Sequence, residues 1–191
     1  MKRERRRLAT SAKSAGFRPA LFSTKCGTET LRSSGQIGAA LQLPNLMIRV
    51  RRAIPADVPQ LPELCNQLGY PSNEEEVRAR FGGIDGAPDH GLFVAETPDG
   101  RLAGFLHVFV IRTMESDPRA EIGGLVVDAA QRSHGNGTLL MERAETWARE
   151  HGCKIVSLRS NVIRERAHAF YERLGFKHVK TQKSFRKLLQ D

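Results

Sequence analysis

The sequence feature that most constrains the fold is the stretch 125–147, which has the pattern of a strand, a short loop and a helix. Leu125-Val126-Val127 carries the branched apolar side chains typical of a buried β-strand. After the loop, apolar side chains recur at helical spacing, at Leu140, Ala144, Trp147 and Ala148. A helix that follows a strand this closely packs back onto the sheet, so the stretch predicts an α/β (α+β) domain.

The loop between this strand and this helix has the features of an anion-binding site. Gly135 and Gly137 allow the backbone to adopt positive φ and to approach a ligand closely. The first N–H groups of the following helix have no acceptor within the helix, so they are free to hold an anion. Arg132 adds a permanent positive charge. The loop therefore predicts phosphate binding, although not of the Walker type, because no Gly-Lys-Ser/Thr follows.

Composition restricts the class of protein. An apolar fraction of 40% and a charged fraction of 27% are typical of a soluble globular chain. The longest apolar run, near residues 105–111, is interrupted by His107 and is far shorter than the roughly 18–20 residues that span a bilayer. Three cysteines without paired spacing fit neither a disulfide framework nor a zinc site. We therefore expect a cytoplasmic protein without a membrane partner or a metal.

The net charge of +9 is unevenly distributed. Residues 1–46 hold nine Lys or Arg and two acids, which is +7 of that total. We expect this segment to be a basic, disordered N-terminal extension, and residues 47–191 to form the folded domain. Four interpretations of the extension stay open: translation from an upstream start codon, with Met47 as the true start, a solvated tail, an organelle-targeting segment, or a nucleic-acid-binding arm. The near-neutral domain argues against a nucleic-acid partner.

From residue 47 onward, strand and helix patterns alternate regularly. Helical spacing covers residues 58–68, and a second, short helix is predicted to start at Glu74. Pro98-Asp99-Gly100 predicts a hairpin turn between two strands. Further strands are predicted at residues 48–51, 92–96, 102–111, 120–127, 155–158, 176–180 and 184–188, with a helix around 167–174. This order favours a mixed, mostly antiparallel sheet of six to seven strands, with about four helices on its two faces.

Two motifs at the expected distance from each other resemble those of a known family. Arg132-Ser133-His134-Gly135-Asn136-Gly137 matches the acyl-CoA loop of the GCN5-related N-acetyltransferase (GNAT) superfamily. Asn161, followed by residues 167–176, is similar to the second signature of that family. Glu121-Ile122, Ala167-His168 and Phe185-Arg186-Lys187 also resemble aminoalkylphosphonate acetyltransferases. The chain is thus identified as a member of the GNAT superfamily over residues 48–191.

The resemblance implies a binding site for acetyl-CoA as co-substrate. In this family the strands corresponding to residues 121–127 and 155–159 separate, and the pantetheine arm lies between them. Gly123-Gly124 either forms a bulge there or relieves packing. Asn161 is expected to touch the coenzyme, with a helix N-cap as the alternative. The implied coenzyme-binding residues are Leu125, Val126, Val127, Arg132, Ser133, His134, Gly135, Asn136, Gly137, Thr138 and Asn161.

The implied chemistry is attack of an amine on the acetyl thioester. An alkylamine, with a pKa of about 10, must lose a proton, and the leaving thiol, with a pKa of about 8.5, must gain one. Tyr171 matches the family's tyrosine that protonates the sulfur, with a core aromatic as the alternative. Glu121 is the best candidate for the base, acting through water, or it is a salt-bridged acid. His107 is a second base candidate, or it is structural.

The resemblance predicts an N-acetyltransferase that acts in a ternary complex on a primary amine of a small molecule. The acceptor site is expected in the loops at about 69–90 and 112–119. Four acids in these loops either attract a cationic amine or are simply solvated: Asp85, Asp89, Glu115 and Asp117. Two alternatives stay open: a protein amine as the acceptor, and a non-catalytic acyl-CoA sensor. The sequence does not decide between a monomer and a homodimer.

Overall fold

A computed structural model describes residues 47–189 of the chain. Their strands form one sheet, whose order follows the chain. The strands are β1 (Arg49–Arg52), β2 (His90–Glu96), β3 (Leu102–Ile111), β4 (Arg119–Val127) and β5 (Val156–Leu158). The helices are α1 (Leu61–Leu68), α2 (Glu74–Ile84), α3 (Asn136–Glu150) and α4 (Glu165–Arg173), with 3₁₀ turns at Pro55–Gln60 and Ala129–Gln131. The predicted extension, residues 1–46, lies outside the described residues.

The sheet is mixed and mostly antiparallel, as predicted. Strands β1 to β4 pair antiparallel, whereas β5 pairs with β4 in parallel. In the β3–β4 pair, Val108 lies opposite Ile122 and His107 lies opposite Gly124. Gly123 is therefore an extra residue in β4, and the bulge predicted at Gly123-Gly124 is confirmed.

Helices cover both faces of the sheet, and two apolar clusters hold them there. Helix α3 buries Leu140, Ala144, Trp147 and Ala148, the residues predicted from helical spacing, against strand residues such as Leu106 and Val108. On the other face, α1 and α2 pack against Val94, Phe105 and Val126. Because both faces are covered along much of the sheet, the central strands are nearly continuous apolar runs in the sequence.

Local capping explains where several elements begin and end. Asn73 and Glu76 form a reciprocal capping box at the start of α2. Gly69, at φ +96°, ends α1, and Gly100, at φ +81°, completes the turn between β2 and β3. The helix predicted over residues 58–68 is split into a 3₁₀ turn and α1. Pro59 and Pro62 cause this break, because neither has an N–H for an i→i−4 hydrogen bond.

A charge cluster that sequence patterns did not reveal ties the first strand to the domain. The guanidinium of Arg51 donates to Asp57 at 2.7 and 2.8 Å and to Glu96 at 2.9 and 3.0 Å. Burial alone raises the pKa of Asp57, but hydrogen bonds from Arg51 and the Ile54 N–H outweigh it, so the net pKa is lowered. The cluster therefore keeps its charges at neutral pH and fixes β1 against β2 and the 3₁₀ turn.

Within residues 47–189 the sheet has five strands, where the sequence predicted six to seven. The difference lies at residues 176–180 and 184–188, which form no strand. Phe176 and Val179 are three residues apart, as are Phe185 and Leu188, so each pair would lie on opposite faces of a strand. Residues 177–187 also hold five Lys or Arg and no acid. Neither segment thus offers a continuous apolar face to the sheet. Among the described residues, no helix is long and apolar enough to cross a membrane.

Candidate active site

The glycine loop has the geometry of an anion cradle. Ser133, at φ +67°, and Gly135, at φ +84°, turn the chain sharply into α3. Helix α3 begins at Asn136, directly after Gly135. Thr138 and Leu139 donate their N–H groups to the Gly135 carbonyl at 2.9 and 3.1 Å. By helix geometry, the N–H groups of Asn136 and Gly137 lack an intrahelical acceptor and mark the anion site.

The loop is held from three sides. Asn136 is only 2% exposed, and its side-chain amide donates to the Gln131 carbonyl at 3.0 Å. Gly137 lies against α4, where a Cβ atom would be 3.2 Å from the ring of Phe170. The Arg132 guanidinium donates to the Val127 carbonyl at 3.1 Å, which places its positive charge at the end of β4. The cradle is thus preorganised by the sheet and by both flanking helices.

Strands β4 and β5 separate as predicted. Their pairing is limited to Ala120–Val156, Glu121–Ser157 and Ile122–Leu158, whereas β4 continues to Val127. From Gly123 onward, β4 therefore has no strand partner on the side that faces β5. Its N–H and C=O groups there, apart from the Val127 carbonyl that accepts from Arg132, can pair with an extended ligand. The gap leads from the glycine loop to the bulge at Gly123.

Asn161 lies just after β5. Its side-chain oxygen accepts from the Ile163 N–H at 3.2 Å, and its carbonyl lies 3.0 Å from the ring of His168. Helix α4 begins only at Glu165. The N-cap alternative for Asn161 is therefore wrong, because the residue forms a local turn before the helix. Its contact with the coenzyme stays a prediction.

Tyr171 lies on α4 and is largely enclosed by aromatic rings. Its ring makes edge contacts with Phe170 and Phe176, at centroid distances of 5.3 and 6.0 Å. Burial raises the pKa of the Tyr171 hydroxyl, with a smaller opposing effect from Arg164. The phenol is protonated at neutral pH, as a general acid requires. One open cleft brings it together with the other predicted residues, Glu121 and Asn161.

Glu121 is buried, with both carboxylate oxygens engaged. The Ser157 hydroxyl donates to it at 2.6 Å, and the Arg159 guanidinium donates at 2.9 Å. Glu121 is 5% exposed, whereas the Arg159 side chain is 79% exposed. The geometry includes the salt bridge that was the alternative for this residue. A carboxylate has further lone pairs, so its role as a base through water stays a prediction.

His107 has a partner that sequence patterns did not reveal. Its Nε2 lies 3.0 Å from Nδ1 of His90. His90 stacks on Phe109, whereas His107 is tilted against that ring, and all three lie on the sheet face that carries Glu121. Burial and the neighbouring His90 lower the pKa of His107 to about 4. Only the strand register could have revealed this contact. Because Leu92 pairs with His107, His90, two residues earlier on β2, lies diagonally opposite His107.

The predicted acceptor loops are only partly loops. Helix α2 occupies Glu74–Ile84, in the middle of the segment 69–90. Residues 112–118 lie exposed between β3 and β4. Among the acids predicted to attract a cation, Asp89 lies 4.0 Å from the His90 ring. The acceptor loops thus meet the sheet where the histidine pair lies.

The mixed sheet, the separated strands and the glycine loop at a helix start define an acyltransferase of the GNAT fold. The sequence profile of the Acetyltransferase (GNAT) family matches residues 57–176, which is more than half of the chain. The chain belongs to this family, whose members use acetyl-CoA, and the described domain is that of an N-acetyltransferase.

Known relatives agree with this assignment. An aminoglycoside N(6')-acetyltransferase type 1 of Serratia marcescens is 26% identical over 63% of this chain and 86% of its own length. An uncharacterised N-acetyltransferase of Methanocaldococcus jannaschii is 33% identical over 53% of this chain, and the match spans 46% of that relative. The structure of AAC(6')-Iy, solved with the bisubstrate analogue CoA-S-monomethyl-acetylneamine, superposes with a TM-score of 0.67 at 19% identity, over 75% and 99% of the two chains. At 19% identity, the similarity to AAC(6')-Iy supports the fold alone.

Proposed function

We propose that the protein transfers the acetyl group of acetyl-CoA to a primary amine of a small molecule, by direct attack in a ternary complex. The observation that carries the proposal is the continuous path from the glycine loop to the bulge. An anion cradle lies at one end of the path, and an unpaired strand edge runs along it. A pyrophosphate followed by an extended amide-containing arm fits such a path.

The residues along the path have distinct roles toward acetyl-CoA. The N–H groups of Asn136 and Gly137, with Arg132 beside them, would hold the pyrophosphate. Unpaired backbone groups at residues 125–127 would pair with the pantetheine amides. An N–H near Leu125 would polarise the thioester carbonyl, which is the role of an oxyanion donor. Ser133, His134, Thr138 and Asn161 complete the proposed binding set.

Proton transfer requires a donor at the sulfur and an acceptor at the amine. Tyr171 is proposed as the donor, because its phenol is held protonated beside the cleft that also contains Glu121. Glu121 is proposed to draw the ammonium group toward the thioester and to take its proton through water. The salt bridge with Arg159 and the bond from Ser157 hold that carboxylate in place.

The small-molecule acceptor is supported by the Serratia marcescens relative, which is named as an acetyltransferase of aminoglycosides. It is also supported by the predicted acceptor segment 69–90, where the Asp89 carboxylate is 46% exposed. An exposed carboxylate favours a cationic amine by simple charge complementarity. We infer a primary amine on a polar small molecule.

Acetyl-CoA turnover across a panel of amines tests this proposal. Free thiol and acetylated product are measured for alkylamines, amino sugars, amino acids and lysine-containing peptides. We expect thiol release above the amine-free rate with at least one small amine, and a higher kcat/KM for it than for any peptide. A preference for peptides would favour a protein acceptor. Binding of the coenzyme without turnover of any amine would favour a sensor and contradict an enzymatic role.

A further inference from the structure

The rings of His90, His107 and Phe109 form a group of three neighbours that has no role in the chemistry proposed above. The His90 and His107 rings are nearly parallel, with centroids 5.2 Å apart, and Phe109 lies 5.5 Å from each. His90 Nδ1 and His107 Nε2 are 3.0 Å apart, so one proton is shared between the two rings. The group lies on β2 and β3, on the same face of the sheet as Glu121.

One end of this group reaches the bulge in β4. A Cβ atom at Gly123 would lie 3.1 Å from Nδ1 of His107 and 3.0 Å from the Phe109 ring. Because position 123 has no side chain, this ring nitrogen faces the exposed bulge backbone directly. His107 therefore presents Nδ1 to the bulge while Nε2 contacts His90.

The bulge is also where the separated strands meet. The last residue pair between β4 and β5 is Ile122–Leu158, directly before Gly123. A ligand arm that enters from the glycine loop can lie between the strands only as far as this point. The reactive tip of the arm, and the amine that attacks it, would therefore lie beside Gly123 and within reach of Nδ1 of His107.

The other end of the group reaches solvent. The His90 side chain is 29% exposed, and its Nε2 lies 4.0 Å from a carboxylate oxygen of Asp89. His107 is more enclosed, by β4, Phe109 and His90. The two imidazoles thus connect a sheltered position at the bulge with an acidic, partly exposed position at the start of β2.

We propose that His107 and His90 form a relay that carries a proton from the acceptor ammonium at Gly123 to water beside Asp89. Nδ1 of His107 takes the proton from the ammonium nitrogen. Nε2 of His107 passes its own proton to Nδ1 of His90, and Nε2 of His90 releases one proton to water. The amine becomes neutral, both rings stay neutral, and exchange of their N–H protons restores the starting tautomers. This inference rests on the proposed function and assigns to His107 the base role that is proposed above for Glu121. Glu121 would then only attract and orient the ammonium group.

The electrostatic surroundings fit such a route. His107 is neutral at neutral pH, because burial and His90 hold its pKa near 4, so its Nδ1 lone pair is free. A ring with this pKa does not hold a second proton, so the transfer from Nε2 to His90 must occur in the same step. Glu121 faces the same region from β4, but Arg159 and Ser157 engage both of its oxygens. Asp89 faces His90 from the other side and favours the departure of a proton there. The overall reaction of an ammonium with a thioester releases one proton, which is the proton that the relay exports.

The test compares two amines in the full-length enzyme. One is a primary alkylamine, which is almost wholly protonated at neutral pH, and the other is an alkoxyamine, which is already neutral. In His107→Gln and His90→Asn we expect kcat/KM to fall by about 100-fold for the alkylamine. For the alkoxyamine we expect a loss of less than about threefold, since no ammonium proton needs a route. Affinity for coenzyme A should not change.

Two controls distinguish the relay from a general loss of structure or activity. Glu142→Gln changes an exposed residue of α3 that lies outside the cleft, and it should leave both rates unchanged. If His107→Gln fails to fold, the rates of His90→Asn decide whether the relay exists, because His90 is partly exposed. Three outcomes would overturn the relay but not the proposed function. They are equal losses of kcat/KM for both amines, no loss for either amine, and a loss specific to the alkylamine in Glu121→Gln but not in the histidine variants. No turnover of any amine by the unmodified enzyme would overturn the proposed function and the relay with it.

Discussion

Tyr171→Phe is expected to lower kcat by about 100-fold to 1,000-fold, which lies within the contribution that general acid catalysis typically makes. Without the phenolic proton, the thiolate of coenzyme A must leave unprotonated or wait for water. The ring contacts with Phe170 and Phe176 do not need the hydroxyl, so the folded structure should be retained. Initial rates of thiol release at saturating acetyl-CoA measure the effect.

Two measurements distinguish a catalytic role of Tyr171 from a packing role. The melting temperature and the affinity for coenzyme A should match those of the unmodified enzyme, because the hydroxyl is proposed to act only on the departing sulfur. Substrates with a more acidic leaving thiol should lose less rate in the variant, since such a thiolate leaves without a proton. If kcat stays within about threefold of the original, Tyr171 is a core aromatic and the acid is another group.

Thr138→Asp should weaken coenzyme A binding by about tenfold to 100-fold, through repulsion between the new carboxylate and the pyrophosphate. Thr138 is the third residue of α3, next to the proposed cradle, and is half-buried. An acid in the first turn of a helix stabilises the helix, so the variant should melt at or above the original temperature. A loss of binding would thus not come from unfolding. Titration calorimetry with coenzyme A measures the affinity.

Thr138→Asn is the matched control, because it has the same shape as the aspartate without the charge. We expect its affinity to stay within about threefold of the original. Raising the salt concentration should narrow the difference between the two variants, since the repulsion is screened. Equal losses in both variants, independent of salt, would mean that shape and not charge sets the effect, and would argue against a pyrophosphate at this loop.

The parts of the fold that follow from local chemistry were predictable. Glycines with positive φ, the Asn73–Glu76 capping box and the turn at residues 97–101 leave direct sequence signals, and the structure has each of them. The spacing of Leu140, Ala144 and Trp147 placed α3 against the sheet. Gly123-Gly124 left open a bulge or a relief of packing, and the register of β3 and β4 shows the bulge.

The parts that depend on register and on long-range charge were not predictable. Arg51 meets Glu96 only because β1 pairs with β2 at one register, and His90 meets His107 for the same reason between β2 and β3. The last two strands were predicted at residues 176–180 and 184–188, but the apolar residues of each segment would lie on opposite faces of a strand. The narrower resemblance to aminoalkylphosphonate acetyltransferases stays a prediction, as do the boundary at residue 47 and the oligomeric state.

The central claim is direct transfer from acetyl-CoA to a small amine within a ternary complex. The most direct test is the initial rate of thiol release, measured while the concentrations of acetyl-CoA and of the best amine of the panel are both varied. We expect double-reciprocal lines that intersect, because both substrates must be bound before the acetyl group moves. Parallel lines would indicate an acetylated enzyme intermediate and would contradict direct transfer.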